Sequence, residues 1–426
     1  MRTRSLLIPT LALLAGSGVA QAADDMGFQI HGFASQGYVM TDGAAYEGGW
    51  YGRDTNEAGT FEFNEFGLNV VATPIERLRI GAQFIAYDLG KYGNDELQID
   101  WAFGEYQIPV TESIDVSVVA GRFKTGHAFY NDYRDLDMTR ASVFLPRSVY
   151  SASFRDFFLA ANGAQVNSNL DAGGFGSFTV SGFVGTQNID EKEGALYDLF
   201  AMGANQTFGP FSTKLKSFDY IRVDNIKGGH LEWVTPLNGL RLKVSGLYAD
   251  NFEAAGTMTE TFSGAPGIEL DTNMNIFIEH WFDVTGGAEY VWGDLTLAGE
   301  VSSQYFTGDF SSGAVNWTPF NGPPIPAQTI ALGQRILGAY GSATYQLSML
   351  PGALKNVSVY GAYNWSRVTD TTTDAKGYLR AVAVALRYDI VDHFLVKAEF
   401  ERIQDTDPGA DHTYGNIFSL KTTFDF

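Results

Sequence analysis

The stretch Gly121–Tyr150, GRFKTGHAFYNDYRDLDMTRASVFLPRSVY, interrupts a chain that otherwise alternates apolar and polar residues, strand after strand. It opens as a strand end and then loses the period of two. Charge replaces alternation: Arg122, Lys124, Arg134, Arg140 and Arg147 stand against Asp132, Asp135 and Asp137, with His127 beside them. The segment is locally basic within a chain whose formal net charge is −21. The alternating remainder reads as all-β. If it closes into a barrel wall, the interrupting segment folds into the lumen and sets what passes.

Period-two segments can be followed along the chain. In Arg77–Tyr87, Leu78, Ile80, Ala82, Phe84 and Ala86 share one face; Arg77, Arg79, Gly81 and Gln83 share the other. Leu97, Ile99, Trp101 and Phe103 oppose Glu96, Gln98 and Asp100. Leu240, Leu242 and Val244 oppose Arg241, Lys243 and Ser245. Val382, Val384, Leu386 and Tyr388 oppose three alanines and Arg387. Phe394, Val396, Ala398 and Phe400 oppose Lys397, Glu399 and Glu401. A soluble sandwich alternates in the same way, so alternation alone does not separate the two folds.

The connections do. Short links at 73–76, 109–113, 209–210, 235–239, 292–294 and 389–392 alternate with longer ones near 41–57, 89–94, 125–156, 187–197, 251–280, 309–333 and 405–412. Membrane barrels have this rhythm, with tight periplasmic turns and longer outer loops. With the N-terminus on the periplasmic side, the parity holds to the C-terminus. The expected fold is a transmembrane antiparallel β-barrel of about eighteen strands, with sixteen as the alternative. The 125–156 connection is its third outer loop, folded inward.

Both chain ends agree with this reading. The last strand, Thr413–Phe426, places Phe418, Leu420, Phe424 and Phe426 against Ser419, Lys421, Thr423 and Asp425. Such a strand faces lipid and is ready to pair with the first and close the sheet. At the other end, Arg2 and Arg4 precede the apolar run Leu6–Ala15 and the triplet Ala20-Gln21-Ala22, the pattern of a secretory signal. Residues 1–22 are expected to be cleaved and 23–426 to form the barrel. The apolar run is too short for an anchor.

Composition removes several function classes. The acidic balance argues against nucleic acid as a partner. There is no cysteine, so an exported chain must hold itself by backbone hydrogen bonding and packing. With six His and no nucleophile elbow, zinc motif or phosphate loop, nothing points to catalysis, a cofactor or a metal. The turn Asp405–Asp411 lacks the closing Glu of a calcium loop and reads as a solvated acidic turn. Trp50-Tyr51, Trp101, Trp233, Trp281, Trp292 and Trp365 read as interface girdles.

A secretory signal, period-two strands and a terminal Phe together resemble the Gram-negative outer-membrane porins, over the whole mature chain. The segment Gly121–Arg140, with Gly-Arg-x-Lys at a strand end, is similar to porin-like proteins grouped with the phosphate-selective porins. The wall departs from that group in lacking a long regular ladder of basic residues. The resemblance implies that the third outer loop narrows the pore and that the barrel is a homotrimer.

The constriction is assigned to Arg122, Lys124, Arg134, Asp135, Asp137 and Arg140. Rings of Arg and Lys favour anions, and rings of Asp and Glu favour cations. Opposed across a lumen, they orient dipolar solutes. The competing role for these pairs is to fasten the loop to the wall. Elsewhere, Arg77, Arg79, Lys214, Lys216, Arg241, Lys243, Arg387 and Lys397 are read as inward and paired across strands with Glu96, Asp100, Glu232, Glu399 and Glu401. The expected function is a water-filled outer-membrane porin for small polar solutes, with a preference for anions. Its partners are outer-membrane lipid and those solutes. The alternative is a plugged barrel acting as an adhesion surface or a membrane-embedded hydrolase.

Overall fold

The structure, a computed structural model, describes residues 27–42, 58–90, 95–150, 158–187, 189, 192, 195–406 and 412–426. The signal segment, Trp50-Tyr51 and most of the Asp405–Asp411 turn lie outside these residues. Among the described residues, sixteen antiparallel strands close into one barrel. The first eight are β1 (Gln29–Asp42), β2 (Phe63–Ile75), β3 (Leu78–Leu89), β4 (Gln98–Thr111), β5 (Ile114–Lys124), β6 (Ala160–Asp171), β7 (Ser177–Thr186) and β8 (Phe211–Val234). The rest are β9 (Leu240–Phe262), β10 (Glu269–Trp292), β11 (Leu295–Ser312), β12 (Gln328–Gln346), β13 (Val357–Asp370), β14 (Lys376–Val391), β15 (Phe394–Thr406) and β16 (Thr413–Asp425). β1 pairs with both β2 and β16, and the backbones of Gly32 and Phe426 complete the seam with bonds of 3.0 and 2.9 Å. Closure leaves the wall without an edge.

The count is sixteen, and one link explains the expectation of eighteen. Gly209-Pro210 is an outer turn, between β8 and a short strand, Thr207–Phe208, that folds back on it. Placing that link on the periplasmic side demands one strand before it and a split of Phe211–Val234 after it. At 24 residues β8 is long enough for two membrane passes of about ten residues each, which invites the split. The expected loop at 251–280 is likewise strand: β9 and β10 stay paired from Leu240↔Tyr290 to Thr261↔Glu269. Strands β8 to β10 therefore rise well beyond a bilayer on the long-loop side.

Side-chain alternation sorts lipid from lumen. Val382, Val384 and Leu386 are exposed on the outside of β14, while Ala381, Ala383 and Ala385 are buried inside. Phe418, Leu420 and Phe424 face out from β16, with Ser419, Lys421 and Thr423 inside. Trp233, stacked on Phe178, and Trp292 stand at the short-turn end as girdle residues. Four residues break the expected faces. The pairing of β3 with β4 slips between Gln83↔Trp101 and Phe84↔Ile99, so Asp100 is an extra residue, and its buried carboxylate meets Lys124 inside. Phe103 packs on the inner cluster rather than on lipid. Lys216 is exposed and pairs with Asp271 on the outer surface instead of lining the lumen. Trp281 is buried in the lumen and is no girdle residue.

Above the bilayer, β8 to β10 each carry one extra residue at the same level: Asp224, Asn251 (φ 50°) and Glu279. The inward face changes parity there, from Leu247 and Ala249 to Phe252 and Ala254. The new inner face is apolar. A helix from the fourth long connection, Ala195–Ala204, lays Leu196, Phe200, Ala201 and Ala204 against Phe218 and Phe252. The loop between β11 and β12 caps the same strands with Trp317, fully buried and bonded to Glu260 at 2.5 Å.

Candidate functional site

The segment following β5 is the third long connection, and it enters the barrel. Gly121 (φ 124°) lies within the last part of β5, where an added Cβ would lie 2.4 Å from the Ala102 carbonyl. Gly126 (φ 66°) turns the chain where a Cβ would lie 2.3 Å from the His230 ring. Both positions require glycine, one for close approach and both for the left-handed backbone. The neck of the loop is closed by Asn131, whose amide donates to the carbonyls of Phe158 (2.9 Å) and Leu159 (3.2 Å). Two single 3-10 turns follow, Asn131–Tyr133 and Asp137–Thr139, neither with a side-chain cap.

From this neck the loop reaches several sides of the wall. Beside β4 and β5, Lys124 bridges Asp100 (2.8 Å) and Asp135 (3.0 Å), and Arg122 donates to the Asp100 carbonyl (2.8 Å). Towards β9, β11 and β12, the amide of Ala128 donates to Ser245 (2.9 Å) and that of Phe129 to Glu300 (2.8 Å). Glu300 also accepts from the hydroxyls of Tyr150 (2.5 Å) and Tyr340 (2.7 Å). Arg241 lies over the Phe129 ring at 4.8 Å while holding Glu289 at 2.8 Å.

The opposite flank is ionic. Asp137, 1% exposed, accepts from Lys421 on β16 (2.5 Å) and Arg140 (2.6 Å), with Lys397 on β15 at 3.6 Å. Lys421 is shared with Glu65 on β2, and Lys397 also donates to the Asp137 and Ser142 carbonyls. On β15, Glu399 accepts from the Val143 amide (2.6 Å) and Glu401 from Arg147 (2.8 Å). Burial alone would raise the Asp137 carboxyl, but Lys421, Arg140 and Lys397 hold it well below the usual carboxylate range.

The six residues assigned from sequence are thus brought onto one loop and its root, but not into one ring. Lys124 with Asp135 and Asp137 with Arg140 form two separate ion pairs, and Arg134 is buried with its guanidinium on the Tyr150 carbonyl. The wall pairing differs too. Lys397, Glu399 and Glu401, read as partners across strands, spend their polar atoms on the loop. Arg241 with Glu232 (3.4 Å) does pair across strands. Glu300, Tyr340 and Lys421 were missed as loop partners, and Glu65 as the wall residue that shares Lys421. Their only signal was an inward position, shared with every second residue of the wall.

Between the loop and β10 to β14, on the short-turn side, lies a recess of about 300 Å³. Tyr130 and Arg140 overhang it, Thr296, Thr344 and Ser358 form its floor, and Glu289 and Arg387 stand at its two sides.

A closed barrel with a lipid-facing apolar belt and a loop folded into a polar lumen defines a porin-type transmembrane barrel of the bacterial outer membrane. Solved structures carry the same fold. OmpF of Salmonella typhi, in complex with daunomycin, aligns over 95% of this chain and 98% of its own at 10% identity, with a TM-score of 0.53. DcaP, an outer-membrane channel of Acinetobacter baumannii, aligns over 94% and 97% at 12% identity, with a TM-score of 0.50. A loop-deletion form of OmpT, an outer-membrane protein of Vibrio cholerae, aligns over 94% and 99% at 13%, with a TM-score of 0.50. At these identities the likeness establishes the fold alone. No protein-family model matches the chain, and neither does any curated protein at a significant level.

Proposed function

We propose that this barrel is a diffusion channel for small polar solutes, narrowed by the 125–156 loop, and that it assembles as a homotrimer. The observation that carries the channel reading is the loop itself, docked by polar and ionic contacts in the lumen and leaving a polar recess beside it. The six assigned residues divide by role. Arg122, Lys124 and Asp135 fasten the root, Arg134 and Asp137 hold the loop body, and Arg140 alone among the six lines the recess. Arg387 joins Arg140 there, with Asp389 bound to it at 2.7 Å. Selectivity for anions is therefore weak and rests on Arg140 and Arg387. The hydrolase alternative has its nearest approach in His127 and Asp283, 3.3 Å apart, but both are buried, with His127 stacked on Phe158.

The test is single-channel conductance in a planar bilayer under a salt gradient, with wild type beside Arg140→Ala/Arg387→Ala. A conducting pore whose reversal potential moves towards cations in the variant supports the assignment. An unmoved reversal potential keeps the channel and removes those two residues from the selectivity site. Absence of conduction from folded protein supports the second reading, a barrel held shut by the density of loop anchors.

A further inference from the structure

The recess beneath the loop has a chemistry that the channel reading does not use. Its floor is a patch of the inner wall where neighbouring strands set small polar side chains side by side. Thr296 on β11 is opposite Thr344 on β12, Thr344 is opposite Tyr360 on β13, and Gln346 is opposite Ser358. Among the described residues, the side chains of Thr296, Thr344, Gln346 and Ser358 make no hydrogen bond within the protein, although all four line the recess. Neutral donors and acceptors are thus presented together to the recess.

The charges around the floor are taken up in pairs. Arg140 is paired with Asp137 (2.6 Å), Arg387 with Asp389 (2.7 Å) and Glu289 with Arg241 (2.8 Å). A charged guest would lose its hydration and find only counter-charges that are already paired, which disfavours it. An apolar guest would cover hydroxyls it cannot satisfy. What fits is a guest that is neutral and bears many hydroxyl groups. The ceiling adds the apolar surfaces such a guest needs on its C–H faces, from Tyr130, Leu145 and Pro146. A volume of about 300 Å³ lies at the small end of ligand pockets.

We propose that this recess binds a neutral polyhydroxylated solute the size of one or two sugar rings. The inference deepens the diffusion-channel reading by naming its cargo class, but binding is measured separately from conduction. Maltose is titrated calorimetrically into the detergent-solubilised full-length barrel, with sodium succinate and glycine betaine as charged and zwitterionic probes. Maltose binding is expected, with no heat from the other two. Thr344→Val/Ser358→Ala, which removes two hydroxyls, is expected to weaken it about tenfold. Gln346→Ala, at an exposed strand end where folding is insensitive, is expected to weaken it in the same direction. Tighter binding of succinate or betaine, no maltose binding by wild type, or maltose binding untouched by both variants would overturn the proposal. Maltose binding by a barrel that does not conduct would leave the site standing and remove the channel.

Discussion

The loop is fastened on two sides of the barrel by opposite chemistries. At Asp137 one carboxylate sits among Lys421, Arg140 and Lys397, and Lys421 is shared with Glu65. At Glu300 one carboxylate gathers an amide and two phenols, all neutral. Both anchors are buried. The ionic one is close to all-or-none at Asp137, because removing that carboxylate strands Lys397 and Arg140 away from water. The neutral one is graded, because phenol hydroxyls rotate to another acceptor and a lost bond costs only its own desolvation. The loop therefore has one anchor that locks and one that adjusts.

The sharpest way to break this contrast is Asp137→Asn. It leaves Lys397 and Arg140 without a carboxylate and Lys421 with Glu65 alone, a change that costs about 3–5 kcal/mol in comparable sites. We expect the loop to undock, seen as protease cleavage within 125–156 and a rise in single-channel conductance while the barrel stays folded. An unaltered loop would show that the ionic anchor does not hold it.

Acid reaches the same anchor without mutation. Asp137 has its carboxyl depressed in the docked state. Its stabilising contribution is fully present above the free-carboxyl value of about 3.9 and is lost as pH falls from there towards the docked value. Conductance is expected to be flat from neutral pH down to about 4 and to rise below it. Asp137→Asn should abolish that rise; a rise that survives the substitution assigns the acid response to another group.

Glu300→Gln is the smaller perturbation. The amide keeps one oxygen for Phe129 or a tyrosine and loses the other, a cost of about 1–3 kcal/mol. Proteolysis should quicken modestly with conductance little changed. Loss as large as that of Asp137→Asn would erase the distinction between the two anchors.

Much of the wall was legible because a membrane strand needs only a period of two. Val382 to Tyr388 and Phe418 to Phe426 show it without interruption. Where the period slips, local reading fails, as at the extra residue Asp100 and at the parity change beside Asn251. The surplus strands came from length, since a 24-residue strand that projects beyond the bilayer looks like two that cross it. The loop was legible because it abandons the period. Its partners were not, because Glu300 meets Tyr150 across 150 positions and Glu65 meets Lys421 across 356. Nothing nearby in the chain distinguishes those wall residues from their unoccupied neighbours.

Those separations order events in time. The socket for Asp137 does not exist until β16 has joined β1 and brought Lys421 beside Glu65 of β2. Lys397, 260 residues after Asp137, arrives on the strand before it. The loop is made early in the chain, but the ionic half of its seat is complete only once the cylinder is shut. Engagement of that half is thus a built-in report that the final seam has formed.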